Sequence, residues 1–403
     1  MRQHFASQPT FQIVPIERVI LPTHSRDELP PILAGLQWLW GNPALRAEIF
    51  QLLEDKLLAG KKATGRPGMD LWQMLVLGVV RLGLSADWDR MEHLANYDLL
   101  LRQMLGVQTE TWAASPQVFH HQTLRDNVAL LDHELLQQIN ARITAAGREV
   151  FATKVGAPLA PLAVKVDTYV LETDVHFPTD LNLLWDAGRK CLDLIAKMVV
   201  KHLDLVQRRL LQEETIPACE KVFSLFEPHT EWIQKGKQRP NVELGHRLLI
   251  ATDQHQLIQD YAVVVGQTDV DQSVPVADRL LGRYGAGSLA SLSFDKGFTR
   301  AEDRELLSLF VPLVVMPKRG KKNAAETERE SGKKFVALRK AHSAVESEIN
   351  SLEHHGLNRC LDVGLPGYLR YVGYGVMSYN LHVIGRELLA RQRARAETTR
   401  LAA

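Results

Sequence analysis

Ala163-Val164-Lys165-Val166-Asp167-Thr168-Tyr169-Val170 alternates apolar and polar side chains through a β-branched and aromatic run, the pattern of a half-buried strand. A carboxylate, Asp167, stands in its middle. A second short strand, Ser291-Leu292-Ser293-Phe294, closes on Asp295 and is stopped by Gly297. A third acid, Glu346, lies between Phe335 and Glu353, where Phe335, Leu338, Val345, Ile349 and Leu352 recur at helical spacing and mark one buried face.

Outward from these three acids the chain divides into blocks. Residues 1–30 carry Pro9, Pro15, Pro22 and Pro30 without sustained periodicity and read as an extended arm. Residues 31–150 read as an all-helical N-terminal domain, with amphipathic segments near Pro43–Leu58, Asp70–Leu84, Trp88–Met104 and His120–Ile143, and with Asp70 as a helix N-cap. The turn at Gly83-Leu84-Ser85 allows a DNA-reading helix-turn-helix, for which Arg81, Arg90 and Arg102 are thin electrostatic support; bundle packing is the simpler reading. The Ala-, Pro- and Gly-rich stretch 147–161 marks a domain boundary.

Beyond it the order is strand (about 164–176), helical insert (about 181–240), strands near 245–253 and 257–266, a helix at 274–284, the strand ending at Asp295, a helix at 299–309, a strand at 310–316 and the Glu346 helix. This is an α/β arrangement: a mixed sheet with helices on both faces, in the order of an RNase H-like domain spanning 160–356. Residues 357–403 read as a C-terminal helix and tail, helical from about Tyr368 to Arg395.

A chain of 403 residues with 45% hydrophobic and 24% charged residues is ordinary for a globular protein of two to three domains. The longest apolar run, Leu71 to Leu84, is interrupted by Gln73, Gly78 and Arg81, so no membrane helix is expected. Met1-Arg2-Gln3-His4-Phe5 lacks a signal-peptide core, and a cytoplasmic location follows as an expectation. Cys191, Cys219 and Cys360 form no Cys-x-x-Cys pair. The neighbours His120-His121 and His354-His355 diverge by about 100° on a helix, which favours surface or capping roles over zinc. Neither a Walker loop nor a dinucleotide glycine motif is present, so no nucleotide cofactor is implied.

Asp167, Asp295 and Glu346 have the residue types and chain order to hold hard divalent cations, and two such cations can flank a phosphodiester. Asp174 and Asp180 are rivals for the first position. Glu348 is the rival for the last, but it lies roughly 200° around a helix from Glu346, so both cannot face one site. Pro317-Lys318-Arg319-Gly320-Lys321-Lys322 is a basic patch leading towards the Glu346 helix, where Arg339, His342, Glu346 and Glu353 are spaced to share one face. Lys318, Arg319, Lys321, Lys322, Arg339 and His342 are therefore expected to meet DNA phosphates. The formal net charge of +1 leaves that to local patches.

Several stretches together resemble bacterial insertion-sequence transposases of the DDE type, most closely the ISNCY-like group. They are Val166-Asp167-Thr168-Tyr169-Val170-Leu171-Glu172-Thr173 through His176-Phe177-Pro178-Thr179-Asp180, Phe226-Glu227-Pro228-His229-Thr230-Glu231-Trp232, Val242-Glu243-Leu244-Gly245-His246, Ser293-Phe294-Asp295-Lys296-Gly297-Phe298, and His342-Ser343-Ala344-Val345-Glu346-Ser347 through Leu352-Glu353-His354-His355-Gly356-Leu357. The resemblance spans most of 160–385, with looser motifs in 66–150.

It implies an RNase H-like core with Asp167, Asp295 and Glu346 as catalytic metal ligands, magnesium with manganese as its substitute, cleavage at transposon ends and strand transfer into target DNA. Transposon-end and target DNA are the implied partners, with the helical domain on the DNA end and a homodimer formed on DNA at the nucleoid. Glu353 departs from the pattern, since a lysine is usual at the matching position of the last helix. The alternatives are a nuclease of the same chemistry that does not join ends, and a catalytically inactive DNA-binding remnant.

Overall fold

The structure, a computed structural model, describes residues 13–60, 68–109, 117–152, 158–175, 177–190, 195–217, 220–234 and 242–402. The start of the expected arm, residues 153–157 of the expected boundary, His176, Cys191 and Cys219 lie outside the described residues.

Part of the arm is not extended. Ile16, Val19 and Leu21 are buried around a 3-10 turn at Ile16–Arg18, because three apolar side chains in six residues find a groove beside the first helix. Gln37 Nε2 donates to the Ile16 and Val19 carbonyls at 2.7 and 2.8 Å, and Trp40 Nε1 to Glu17 at 2.6 Å, which holds the turn down.

The helical block comprises α1 (Leu29–Gly41), α2 (Pro43–Leu57), α3 (Leu71–Gly83), α4 (Trp88–Tyr97), α5 (Leu99–Met104), α6 (His121–Val128) and α7 (His133–Val150). Two expected segments are each split in two. Asp98 accepts from the Leu101 amide at 2.8 Å and Asp132 from the Leu135 amide at 3.0 Å, so each acid caps a fresh helix inside a stretch of continuous helical periodicity. Asp70 occupies the N-cap position of α3 but makes no capping bond; burial instead pushes its carboxyl up to about 6.

β1 (Leu162–Thr173) is followed by α8 (Asp180–Lys190), α9 (Ile195–Leu211), β2 (Glu231–Gln234), β3 (Val242–Thr252), β4 (Ile258–Val264), α10 (Ser273–Tyr284), β5 (Leu289–Phe294), α11 (Ala301–Ser308) and β6 (Val314–Val315). Then come α12 (Ala324–Ser331), α13 (Lys333–His342), α14 (Ala344–Leu352), β7 (Arg359–Cys360) and α15 (Gly364–Ala402). The chain is mixed α/β with one mixed sheet, as the patterning predicts. β1 pairs antiparallel with β3 and parallel with β5 and, at its end, β7; β3 pairs antiparallel with β2 and β4, and β6 runs parallel beside β5.

Alternation along β1 sends Leu162, Val164 and Val166 into a core with α10 and α11, while Tyr169 and Leu171 enter the larger core shared with the helical block and α15. That larger core is continuous from Ile16 to Leu389, so α15 packs on α1, α3 and α7 as well as on the sheet. Buried Asn380 joins the two layers. Its Oδ1 accepts from the Ile258 amide at 2.8 Å, and its Nδ2 donates to Asn140 Oδ1 at 2.8 Å and to the Ile258 carbonyl at 3.1 Å. None of the described helices is long and apolar enough to cross a membrane.

Candidate active site

The parallel register sets Lys165 opposite Ser293 and Val166 opposite Phe294. The next residue on each strand is Asp167 and Asp295, so the two carboxylates leave neighbouring strands side by side. Asp167 shares its face with Lys165, Tyr169 and Leu171, the side covered by α14 and α15. Asp295 directly follows β5 and accepts from the Gly297 amide at 3.4 Å, capping the 3-10 turn Lys296–Phe298.

Glu346 lies in the first turn of α14 and is exposed. Burial pushes Asp167 up to about 7; the bond that Asp167 Oδ1 accepts from the Thr168 amide at 2.8 Å opposes this, while Asp295, Asp269 and Glu346 raise it further. Asp167 thus registers the field of both other predicted acids. The ligand oxygens of the three acids do not all fall within 4.8 Å of one another.

The rivals go elsewhere. Asp174 pairs with Arg359 at 3.3 Å, and Asp180 pairs with Arg209 at the start of the insert. Glu348 is buried and accepts from Lys165 Nζ at 2.6 Å, a closed ion pair beneath the site. The expected separation of Glu346 and Glu348 around the helix therefore holds.

The single long helix does not. It breaks at Ser343 into α13 and α14, and the last stretch, Glu353–Leu357, is a π-helical turn in which Gly356 takes φ +90°. Arg339, His342, Glu346 and Glu353 consequently do not form one straight row. Arg339 turns to within 4.0 Å of Glu330, His342 Nδ1 lies 3.1 Å from Ser293 Oγ, and Glu353 acts on buried Tyr169. Burial lowers the His342 pKa, with Asp295 opposing and Lys165 assisting, so the ring is neutral near pH 7.

The basic patch is largely wired to acids. Lys318 Nζ reaches Glu326 at 2.8 Å and its amide donates to Glu330 at 2.9 Å, while Lys322 pairs with Glu330 at 2.5 Å. Burial raises the pKa of Glu330, yet the Lys318 amide, Lys322 and Arg329 together hold it below the usual range. Lys321 is exposed. Arg319 and Asp269 both lie near Gly297, where an added Cβ would be 3.7 Å from an Arg319 guanidinium nitrogen and 3.4 Å from Asp269 Oδ2.

Asp269 is the residue that sequence reasoning missed. It opens the 3-10 turn Asp269–Gln272 after β4, accepts from Thr168 Oγ1 at 3.0 Å and lies 3.6 Å from Arg247. β4 is antiparallel to β3, which is antiparallel to β1, so β1, β4 and β5 run the same way and the chain leaves β4 and β5 at one sheet end. Only those strand directions bring Asp269 to Asp167, and no local sequence pattern signals them.

In the helical block, Arg81 is buried against Asp362 at 2.8 Å and stacks on Trp88, and Arg102 donates to the Ala95, Gln108 and Gln117 carbonyls. Both cations tie the bundle together, which takes away two of the three arginines that supported a DNA-reading helix. Comparison with known protein families, curated proteins and solved structures gives no match for this chain.

Proposed function

We propose that this chain is a DNA transposase with an RNase H-like catalytic domain, which cleaves at transposon ends and transfers the strand to target DNA. The observation that carries the reading is the meeting of acids from separate elements: Asp167 and Asp295 side by side, with Glu346 near enough to raise the proton affinity of Asp167. The strand order β4-β3-β1-β5-β6, three antiparallel strands and then two parallel ones, supports the RNase H-like assignment. In it the insert α8, α9 and β2 follows the first strand.

The donor set fits a hard divalent cation. Asp167, Asp295 and Glu346 offer carboxylate oxygens with Asp269 close by; burial is the main cause of the raised Asp167 pKa, and the neighbouring carboxylates add to it a negative charge that magnesium or manganese would neutralise. Bound there, such ions supply Lewis-acid stabilisation of the entering and leaving oxygens of a phosphodiester. The chain's own groups supply position. Ser293 orients neutral His342 beside Asp295, Arg319 near Gly297 would offer its guanidinium to a phosphate, and the Lys165–Glu348 pair supports β1 from below.

The test is purified protein with a pre-cut transposon end, a target plasmid and magnesium. Joined product is expected, and Asp167→Asn, Asp295→Asn and Glu346→Gln should each lose it, by about 10³-fold or more, while still retarding end DNA in a gel. Nicking without joining would reassign the chain as a nuclease, and retarded but uncut DNA with wild-type protein would leave only the binder.

A further inference from the structure

Two histidines from the far side of the helical core meet a glutamate from the lead-in segment. Glu28 precedes α1, His355 lies in the π-helical turn after α14, and His382 is on α15. Their ligand atoms all lie within 4.8 Å of one another, a grouping that the three predicted active-site acids do not match. His382 Nε2 is 2.7 Å from Glu28 Oε2, and the two imidazole rings lie 5.0 Å apart.

The tautomer of His355 is set by its surroundings. Its Nδ1 is 2.9 Å from the Gly83 carbonyl, which can only accept, so Nδ1 carries the proton and the lone pair lies on Nε2. An imidazole held by a backbone carbonyl on one nitrogen and free to ligate with the other is the usual support of a metal-bound histidine. The turn that presents it is fixed as well. Tyr371 Oη donates to the Gly356 carbonyl at 2.9 Å, and a Cβ on Gly356 would come within 2.9 Å of Ser85 Oγ.

We propose that Glu28, His355 and His382 form a metal site for a borderline divalent ion of the zinc class, which staples the segment before α1 to the turn that ends the Glu346 helix. Two imidazole nitrogens and one carboxylate are a donor set for zinc, cobalt or nickel, not for magnesium. Glu28 is exposed, which leaves room for water to complete a tetrahedral shell. Without the ion a hydrogen on His382 Nε2 bridges to Glu28; the ion takes its place as the ring's proton moves to Nδ1. The site does not rest on the transposase reading, because its donors and its test are separate from Asp167, Asp295 and Glu346.

Metal-stripped full-length protein is titrated with cobalt(II) alone and followed by visible absorption. One equivalent should give a d–d band that zinc abolishes and a large excess of magnesium leaves unchanged, and zinc should raise Tm. Glu28→Ala alters an exposed residue that makes no helix-capping bond, and should weaken cobalt binding at least tenfold. His355→Ala should do the same, but it also removes the bond to Gly83, so the Glu28 variant carries the test. Absence of the band and of the Tm rise, or equal affinity in Glu28→Ala, overturns the proposal. So does loss of the band in Asp167→Asn, which would put the cobalt among the acids.

Discussion

Burial and nearby carboxylates hold Asp167 at about 7, so metal-free folding favours a proton there that the unfolded chain releases near pH 4. The sign follows: a carboxyl raised in the folded state costs nothing below about pH 4, and its cost grows until pH passes about 7. Asp167→Asn should therefore be more stable than wild type in chelator at pH 8, by on the order of 1–3 kcal/mol, and equal to it near pH 4. Urea unfolding at the two pH values measures this, and magnesium should narrow the gap by stabilising wild type alone. Equal stability at pH 8 would mean that Asp167 is not held against its neighbours' charge. Asp167 was legible because a lone carboxylate interrupts an otherwise β-branched run. Asp269 was not, since its approach to Asp167 depends on strand directions that no local pattern encodes.

α1 and α15 touch backbone to backbone. A Cβ on Gly385 would lie 1.9 Å from the Pro31 carbonyl oxygen, and one on Gly35 would lie 2.1 Å from the Leu381 carbonyl oxygen. Gly385→Ala gains about 1 kcal/mol of helix propensity but must push two helices apart. We expect a net loss of about 2 kcal/mol or more by thermal or chemical unfolding. Gly282→Ala on α10, where nothing lies within 4 Å, should instead stabilise by about 0.5–1 kcal/mol. If both glycines respond alike, the close approach is not what decides. Element identities were legible where periodicity is strong, as in β1, β3, α3 and α10. Breaks escaped notice when they rest on capping by Asp98 or Asp132, or on the turn at Ser343 that splits the Glu346 helix. β2 and β7 were also missed, because four- and two-residue strands exist only by virtue of the neighbours they pair with.

α15 is about 58 Å long at 1.5 Å per residue, and it buries residues from Tyr368 to Leu389 against partners on several sides. Tyr368, Tyr371 and Tyr374 donate to the carbonyls of Leu171, Gly356 and Val128, tying one helix to the sheet, to the turn after Glu346 and to the helical block. At about 1.5–3 kcal/mol for each large apolar side chain, its burial exceeds the ~5–15 kcal/mol by which a domain is stable. Deleting residues 364–402 should therefore abolish cooperative unfolding of the helical block as well as of the sheet, as followed by circular dichroism. A helical block that still melted sharply would show that it stands alone. Because α15 follows α1, α3 and α7 in the chain, the groove between them stays open until α15 has been made, and a product terminated before Gly364 would present that apolar surface to chaperones and proteases instead of persisting as a folded half-protein.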